Sequence, residues 1–441
     1  MTSSFDQQTS MMAQRASRQA IGYLMQQGIE NADCLSLAAG FVDPVTLPVQ
    51  LVEETIQTVL KTHGSTPLQY GTTEGSERLR TTFRDYLAEL EGPSSRMASV
   101  DPGRLMLTTG SQQMLCLLSQ AVFDPGDICL VAAPTYFVYL GVLDGLGVEA
   151  VPVQTDSDGM CPDALDSVFQ DLSSEGKLDR VRMVYVVSYH DNPAGIMVSS
   201  ERRPHLLNVV RKWSTERKIY LLEDAAYREL HYDGPVLPSI WSFDDAPEDD
   251  QRVILTQTFS KSFSPGLRVG VTVLPRELVK PVSDLKGNED FGSGHLSQNV
   301  VAEVLRNGKY HQHVVRLQQS YRIKRDAMLQ AADEYFADIP GMSWLKPGGG
   351  LYVWMTLPEN VPTGFDSALF RVATAAHKVM YVPGELCYPS GWKERPDNQM
   401  RLSYGVLDTA GIREGMKRLS NAVRDVVSSQ PQNRSSVESH L

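Results

Sequence analysis

The sequence predicts an α/β protein with a large, mostly parallel central sheet flanked by helices and a smaller α+β domain. Between residues 105 and 274, short apolar runs alternate with stretches of helical periodicity, which is typical of strands covered on both faces. At 441 residues, with 42% hydrophobic and 21% charged residues, the chain is too long for one simple core. Polar residues also follow one apolar run after another, as expected where strands end at a ligand site.

Periodicity places the individual elements. Apolar runs predict strands at 105–107, 128–131, 148–153, 181–187, 219–222, from 253 and at 269–274. Three- and four-residue spacing predicts helices at 15–27, 52–60, 79–90, from 111, at 200–217, 299–305, 310–336 and through 412–426, with the basic run 322–325 on a solvated face. We expect an N-terminal arm at 1–48 that contributes to the small domain, a large domain at 49–310, a small domain at 311–428 and a disordered tail at 429–441.

Charge and cysteine usage limit the classes of partner. A formal net charge of −12 argues against nucleic acid. The five cysteines are scattered and none forms a C-x-x-C pair, which indicates reduced thiols, a cytoplasmic protein and no metal site. There is no apolar run of about 18 residues, and residues 1–10 are polar, so we expect neither a membrane protein nor a secreted one.

The stretch that follows the strand at 253 carries the most distinctive chemistry. It reads T-F-S-K-S-F-S-P-G-L-R-V-G from 258 to 270 and places Lys261 among the hydroxyls of Thr258 and Ser260. A lysine amine at a strand end can form a Schiff base with an aldehyde, and the Arg268 guanidinium suits a phosphate. The stretch therefore favours a phosphorylated aldehyde cofactor, and a serine-rich surface loop with two ordinary cations is the alternative.

This stretch resembles the signature S/T-x-S-K-x-x-x-P-G-x-R-x-G of the class I/II aminotransferases, which are fold type I enzymes. Matches over nearly the whole chain place the resemblance in the aminoadipate, kynurenine and aromatic branch. The resemblance implies pyridoxal 5′-phosphate as the cofactor, linked to Lys261, and a homodimer with shared active sites.

Two strand ends offer contacts to the phosphate and the ring of that cofactor. Gly110, Ser111 and Gln112 open a helix, so free backbone N–H groups and the positive helix end favour an anion. Tyr136 follows the next strand and can stack on a flat ring, and in the family this position stacks on the pyridine. The alternatives are a serine that only caps the helix and a tyrosine at the edge of the core.

Two further strand ends carry residues that resemble the family's contacts to the phenolic oxygen and the nitrogen of the cofactor ring. Asn192 lies in N-P-A-G, which resembles the N-P-[TS]-G whose asparagine bonds the phenolic oxygen, while Ala194 and the preceding His190-Asp191 depart from the pattern. Asp224 ends a buried strand, where a carboxylate needs a cationic partner such as a protonated pyridine. Tyr227 completes the D-x-x-Y of the family and is expected at the phenolic oxygen; alternatively, Asp224 caps the next helix.

The resemblance also assigns residues to the substrate and to the neighbouring subunit. Gly40, in S-L-A-A-G, is expected to lie against the substrate carboxylate, and Arg401, in M-R-L-S-Y, to bind it as a bidentate fork. Tyr70, in Y-G-T-T-E-G, is expected to reach the phosphate in the partner subunit. Alternatively, Gly40 belongs to an ordinary strand-to-turn transition, Arg401 faces water from an edge strand, and Tyr70 packs on its own domain.

These residues predict an aminotransferase that moves the amino group of an α-amino acid to a 2-oxo acid in a ping-pong cycle, with Lys261 as Schiff-base lysine and acid–base group. A lyase, decarboxylase or synthase of the same fold, or an aspartate aminotransferase, is the alternative. More remote is a ligand-sensing domain of a transcription regulator, which needs an attached basic DNA-binding module.

The substrate range is predicted from an absent residue. Aspartate-specific members of the family bring a second arginine from the neighbouring subunit, but residues 286–297 read K-G-N-E-D-F-G-S-G-H-L-S. A buried side-chain carboxylate without a cation is disfavoured by several kcal/mol. We therefore expect aromatic, branched or aminoadipate-like donors, with 2-oxoglutarate as acceptor held partly by Arg15 or Arg18 of the N-terminal arm.

Overall fold

The computed structural model describes residues 9–16, 22, 26, 33–93 and 95–429. In chain order its strands are β1 (Leu35–Ser36), β2 (Leu105–Thr108), β3 (Ile128–Ala133), β4 (Glu149–Asp156), β5 (Gly159–Met160), β6 (Val181–Val187), β7 (Tyr220–Asp224), β8 (Val253–Thr258), β9 (Gly270–Val273), β10 (Ser343–Trp344), β11 (Tyr352–Thr356), β12 (Val379–Met380), β13 (Val382–Pro383) and β14 (Gln399–Ser403). Its helices are α1 (Met11–Ala16), α2 (Val49–His63), α3 (Glu77–Glu91), α4 (Ser111–Val122), α5 (Phe137–Leu146), α6 (Pro162–Ser174), α7 (Arg202–Trp213), α8 (Arg276–Asp290), α9 (His295–Arg306), α10 (Lys309–Phe336), α11 (Ala368–Ala375) and α12 (Thr409–Ser429).

The central sheet has eight strands in the order β2-β9-β8-β7-β6-β3-β4-β5. Neighbouring strands from β8 through β4 pair in parallel, whereas β9 is antiparallel to β2 and β8, and β5 is antiparallel to β4. The predicted mostly parallel sheet is therefore confirmed. Because β3, β6, β7 and β8 run in one direction, the residues that follow them meet at one edge of the sheet.

Helices bury both faces of this sheet, which explains why its strands read as apolar runs rather than as alternating patterns. Successive side chains of a strand point to opposite faces. In β3, Ile128 and Leu130 belong to one hydrophobic core, and Cys129 and Val131 belong to the other. The two cores hold the sheet rigid, and the polar side chains just beyond its strand ends are therefore held in place.

A second, four-stranded antiparallel sheet has the order β10-β11-β14-β13. Beside it, β1 pairs in parallel with β12 through Leu35 and Val379, so the N-terminal segment contacts the C-terminal part of the chain. The domain boundaries at 48, 310 and 428 remain a prediction.

Most predicted helices are present and longer than expected, although α7 is shorter than the predicted 200–217, and α5, α6, α8 and α11 were not predicted. Helix α5 is apolar on most sides and so lacks a clear period, and α8 contains Pro281 and Gly287, which usually interrupt helices. The predicted helix at 15–27 lies largely outside the described residues, as do residues 430–441 of the predicted tail.

The prediction that 322–325 lies on a solvated face is wrong for two of its residues. Lys324 and Arg325 are buried and form ion pairs with Asp43 and Asp233, since a buried charge is retained only with a partner. Among the described helices, none has both the length and the apolar character of a membrane span.

Candidate active site

A cavity of about 160 Å³ lies at the carboxyl ends of the parallel strands. The last residues of β6, β7 and β8, which are Val187, Asp224 and Thr258, all line it. Most of the predicted cofactor-binding residues share this cavity, namely Ser111, Gln112, Tyr136, Asn192, Asp224, Tyr227, Thr258, Ser260, Lys261 and Arg268. The topology thus brings together residues that are more than a hundred positions apart in the sequence.

Lys261 joins this cavity to the N-terminal segment. Its Nζ donates a hydrogen bond of 2.7 Å to the carbonyl oxygen of Gly40. The turn that carries Lys261 follows β8 directly and is anchored by Phe259 and Phe263, which are both buried in the core. The amine is therefore the movable end of a side chain whose backbone is fixed.

The Arg268 guanidinium closes one end of the cavity at the start of α4. It donates to the Ser260 hydroxyl at 3.3 Å and to the Thr109 carbonyl at 2.9 Å. Gly110 has a φ of 77°, and a Cβ on it would lie 2.6 Å from Arg268 Nη2, so a side chain here would displace the guanidinium. Hydroxyls, a guanidinium and the N-terminus of α4 at Ser111 together form a cradle suited to a phosphate.

Asp224 is a buried carboxylate of the site. It is 4% exposed, and its oxygens accept hydrogen bonds from the Tyr185 hydroxyl and the Ala226 N–H, each at 3.1 Å. No cation pairs with it among the described residues. Burial raises the pKa of Asp224 to about 6, and the neighbouring Glu223 carboxylate adds to this. A turn follows Asp224, so it does not cap a helix.

Glu223, in the same strand, is also a buried carboxylate, but it has several hydrogen-bond donors and a counter-ion. It points to the opposite face of β7 and accepts hydrogen bonds from the Ser188 hydroxyl at 2.7 Å and from the backbone N–H groups of Ile240 and Trp241 at 3.0 and 2.9 Å. Arg203 lies 3.6 Å away as a counter-ion. The contrast indicates that Asp224 is arranged to meet a cationic group that the chain itself does not supply.

Arg401 lies beside the cavity and does not face water, since only 3% of it is exposed. Its Nη1 donates to Asn192 Oδ1 at 2.8 Å and its Nη2 to the Ala38 carbonyl at 2.7 Å, while its buried Nε has no partner among the described residues. Its guanidinium also lies 4.3 Å from the centre of the Tyr352 ring. Unused donor capacity beside Asn192 fits a carboxylate-binding role.

Two tyrosines of the site were not predicted from the sequence. The hydroxyl of Tyr352 lies 3.2 Å from that of Tyr227, and a Cβ on Gly40 would lie 3.1 Å from the Tyr352 hydroxyl. Burial raises the pKa of Tyr227, whereas the charges of Arg401 and Lys261 outweigh burial and lower that of Tyr352. The other is Tyr185, which supports Asp224 from within β6. An aromatic in a strand is usually core, so neither gave a sequence signal.

The residues that depart from the family pattern lie behind the cavity rather than in it. His190 is buried with a left-handed φ of 45°, and its Nε2 lies 3.0 Å from His231 Nδ1. Asp191 accepts the N–H of Ile196 at 2.7 Å and so closes the turn that presents Asn192. These departures therefore support the backbone of the turn.

Tyr70 does not line the cavity of its own chain. It is 77% exposed and packs edge-on against Phe291, while the Thr73 hydroxyl donates to the Phe291 carbonyl at 2.8 Å. His295 Nδ1 lies 3.2 Å from the Gln69 carbonyl oxygen. The tyrosine loop and residues 291–295 thus form one exposed surface.

Arg15 lies away from the cavity in this structure, and its swing over the site remains a prediction. A Cβ on Gly147, the residue after the end of α5, would meet the Arg15 guanidinium, whereas Tyr136 of the cavity precedes the start of that helix. Helix α1 packs along α5, and this packing holds Arg15 at the far end. Arg18 lies outside the described residues.

Comparison with known proteins matches residues 32–419 to the family model for aminotransferase class I and II. The chain is 34% identical to aromatic-amino-acid aminotransferase 1 of Thermococcus litoralis over 90% of this chain and 89% of that protein. It is similar to kynurenine aminotransferase of Pyrococcus horikoshii, solved with PMP and kynurenine (TM-score 0.86, 30% identity, 96% and 98% covered), and to α-aminoadipate aminotransferase of Thermus thermophilus, solved with N-(5′-phosphopyridoxyl)-L-leucine (TM-score 0.82, 30% identity, 97% and 100% covered).

Because Asp224 becomes buried on folding, we predict that the stability of the ligand-free protein depends on pH. Because its pKa in the folded protein, about 6, lies above the unfolded value, the folded state binds more protons between pH 4 and 6 and loses stability as the pH rises, by roughly 3 kcal/mol in total. Asp224→Asn should therefore raise the melting temperature at pH 7.5 and not at pH 4. Asp366→Asn, at an exposed carboxylate, is the matched control. Equal shifts at both pH values would contradict the assignment.

Proposed function

The chain belongs to the class I and II aminotransferases, and we propose that it moves the amino group of an aromatic, branched-chain or aminoadipate-like amino acid to a 2-oxo acid such as 2-oxoglutarate. The predicted enzyme class, fold type I and pyridoxal 5′-phosphate as cofactor are confirmed by the family match and the solved relatives. One observation carries the proposal: the unpaired carboxylate of Asp224 shares a cavity with the amine of Lys261.

The residues present fit the cofactor, as three features of the site indicate. Arg268, Ser260 and the start of α4 at Ser111 suit the phosphate, Tyr136 lies where it can stack on the ring, and Asp224 is ready for the ring nitrogen. Asn192 and Tyr227 would donate to the phenolic oxygen: Asn192 Oδ1 is already used by Arg401, which leaves the amide nitrogen as a donor. When bound, the cofactor supplies an electron-withdrawing ring that stabilises negative charge at the substrate α-carbon.

Each side chain then has a defined task. Asp224, ionised beside a cation, keeps the ring nitrogen protonated. Lys261 would hold the cofactor through its amine, and its Nζ would accept the proton of the substrate α-carbon. Arg401 binds the α-carboxylate through donors that now face Ala38 and Asn192, so the substrate displaces internal hydrogen bonds rather than water alone. In the ping-pong cycle that we propose, a 2-oxo acid is the second substrate and receives the amino group.

The proposed substrate range is supported by the ion pair of Lys286, the cation nearest to the segment that carries the second arginine in aspartate-specific members of the family. Lys286 is buried in α8, and its Nζ lies 2.7 Å from Asp290 Oδ1, so this ion pair already uses its charge. Residues 286–297 contain no arginine. The side-chain carboxylate of an aspartate substrate therefore finds no free cation in this segment. An apolar substrate side chain carries no charge and has no such desolvation penalty there.

We further propose that the enzyme is a cytoplasmic homodimer with shared sites. The exposed Tyr70 and Phe291 support this, since large aromatic side chains at 77% and 60% exposure on one surface are typical of an interface.

The covalent role of Lys261 can be tested by borohydride. Reduction of the purified, cofactor-loaded enzyme should fix a phosphopyridoxyl group on Lys261, because its amine is the one in the cavity. Peptide mass spectrometry identifies the lysine, and Lys61→Ala, at an exposed lysine, serves as the control. A label on any other lysine would overturn the assignment.

Substrate range is decided by steady-state kinetics with phenylalanine, leucine, 2-aminoadipate, glutamate and aspartate. We expect kcat/KM for aspartate to be lower than for phenylalanine by on the order of tenfold to a hundredfold, the cost of an unpaired carboxylate. Accumulation of the pyridoxamine form with each donor separates transamination from lyase or decarboxylase chemistry. A clear preference for aspartate contradicts the argument from the missing arginine.

Shared sites are tested with hybrid dimers. Tyr70→Phe and Lys261→Ala subunits should each be impaired alone, but a hybrid has one of its two sites with both residues intact, so purified hybrids should have about half of wild-type activity. Hybrids are purified by two affinity tags before assay. Verified hybrids with no recovered activity would show that Tyr70 acts within its own chain or not at all.

A further inference from the structure

A second cavity, larger than the one at Lys261, lies between two chain segments that have no role in the proposed reaction. Its volume is about 680 Å³, within the range of small-molecule sites, and it shares no lining residue with the first cavity. One wall is residues 45–51, which enter α2, and the other is the first turns of α10. The first wall is mainly apolar, and the second carries Lys309, His313 and Arg316.

His313 is the buried polar group of this cavity. It is 4% exposed, and its Nε2 has no hydrogen-bond partner in the described ranges. Burial, with a smaller effect of Arg316, lowers the pKa of His313 to about 4, so its ring is neutral near pH 7. A buried imidazole nitrogen without a partner calls for a ligand or an ordered water.

The charges around the cavity leave one cation uncompensated. Lys309 Nζ pairs with Glu54 Oε2 at 3.3 Å, and Gln50 also donates to Glu54. Arg316 is exposed and forms neither a hydrogen bond nor an ion pair with any described side chain. With His313 neutral, the cavity has a net charge of one positive unit, which matches one negative charge.

We propose that this cavity binds a monoanionic carboxylate with an apolar chain or ring. Its carboxylate would accept hydrogen bonds from Arg316, with His313 Nε2 as a second polar contact, and its apolar part would lie against Val45, Leu47 and Leu317. The site adjoins the active site, because the His313 ring packs edge-on against Phe263, two residues after Lys261, with ring centres 5.5 Å apart.

Calorimetric titration with octanoate tests this directly. The enzyme is first loaded with N-(5′-phosphopyridoxyl)-L-leucine, which fills the cofactor and substrate sites, and its absorbance confirms the loading. Octanoate should bind at one site per chain, acetate should bind more weakly because it buries no apolar chain, and octanol should bind more weakly because it has no charge.

Variants identify the site. Arg316→Ala should weaken octanoate binding about tenfold, the value of one charge-assisted hydrogen bond. Arg371→Ala, at another exposed arginine, on α11, should leave it unchanged. His313→Phe should also weaken binding while it keeps a ring against Phe263, and Arg316→Ala decides alone if that variant does not fold. No octanoate binding to the loaded enzyme, or equal binding by wild type and Arg316→Ala, overturns the proposal.

Discussion

A buried carboxylate without a counter-ion is the constraint on which the active site depends. Asp224 ends β7 in a cavity and keeps only two neutral hydrogen bonds, so its charge is costly until a cation arrives. The same strand places Glu223 on its other face, where a hydroxyl, two backbone N–H groups and Arg203 satisfy it. Glu223 is therefore satisfied by partners within the chain, whereas Asp224 keeps a desolvation cost that the ring nitrogen of the cofactor would relieve.

The doubly covered sheet makes this arrangement possible. Parallel strands deliver Tyr136, Asn192, Asp224 and Lys261 to one edge, and the two cores on either side keep those strand ends fixed. Arg401 comes from the other sheet and reaches across to Asn192 and Ala38, so the carboxylate clamp is assembled from three distant parts of the chain. Substrate binding would thus be linked to the contact between the two sheets.

Much of this site was predictable because its residues follow strands that periodicity locates. Asp224 and Lys261 each come at the end of an apolar run, and their chemistry is unusual for such a position. Tyr185 and Tyr352 were not predictable, since nothing in a strand sequence shows which neighbour an aromatic side chain meets across the fold. Helix α8 was missed for another reason: tertiary packing overrides the local effect of Pro281.

The protonation state of the cofactor ring tests the central role of Asp224 most directly. Nitrogen NMR of enzyme loaded with ¹⁵N-labelled pyridoxal 5′-phosphate should show a protonated ring nitrogen in the wild type at pH 7.5 and an unprotonated one in Asp224→Asn, because only a carboxylate stabilises the cation. The same protonation state in both proteins would contradict the account.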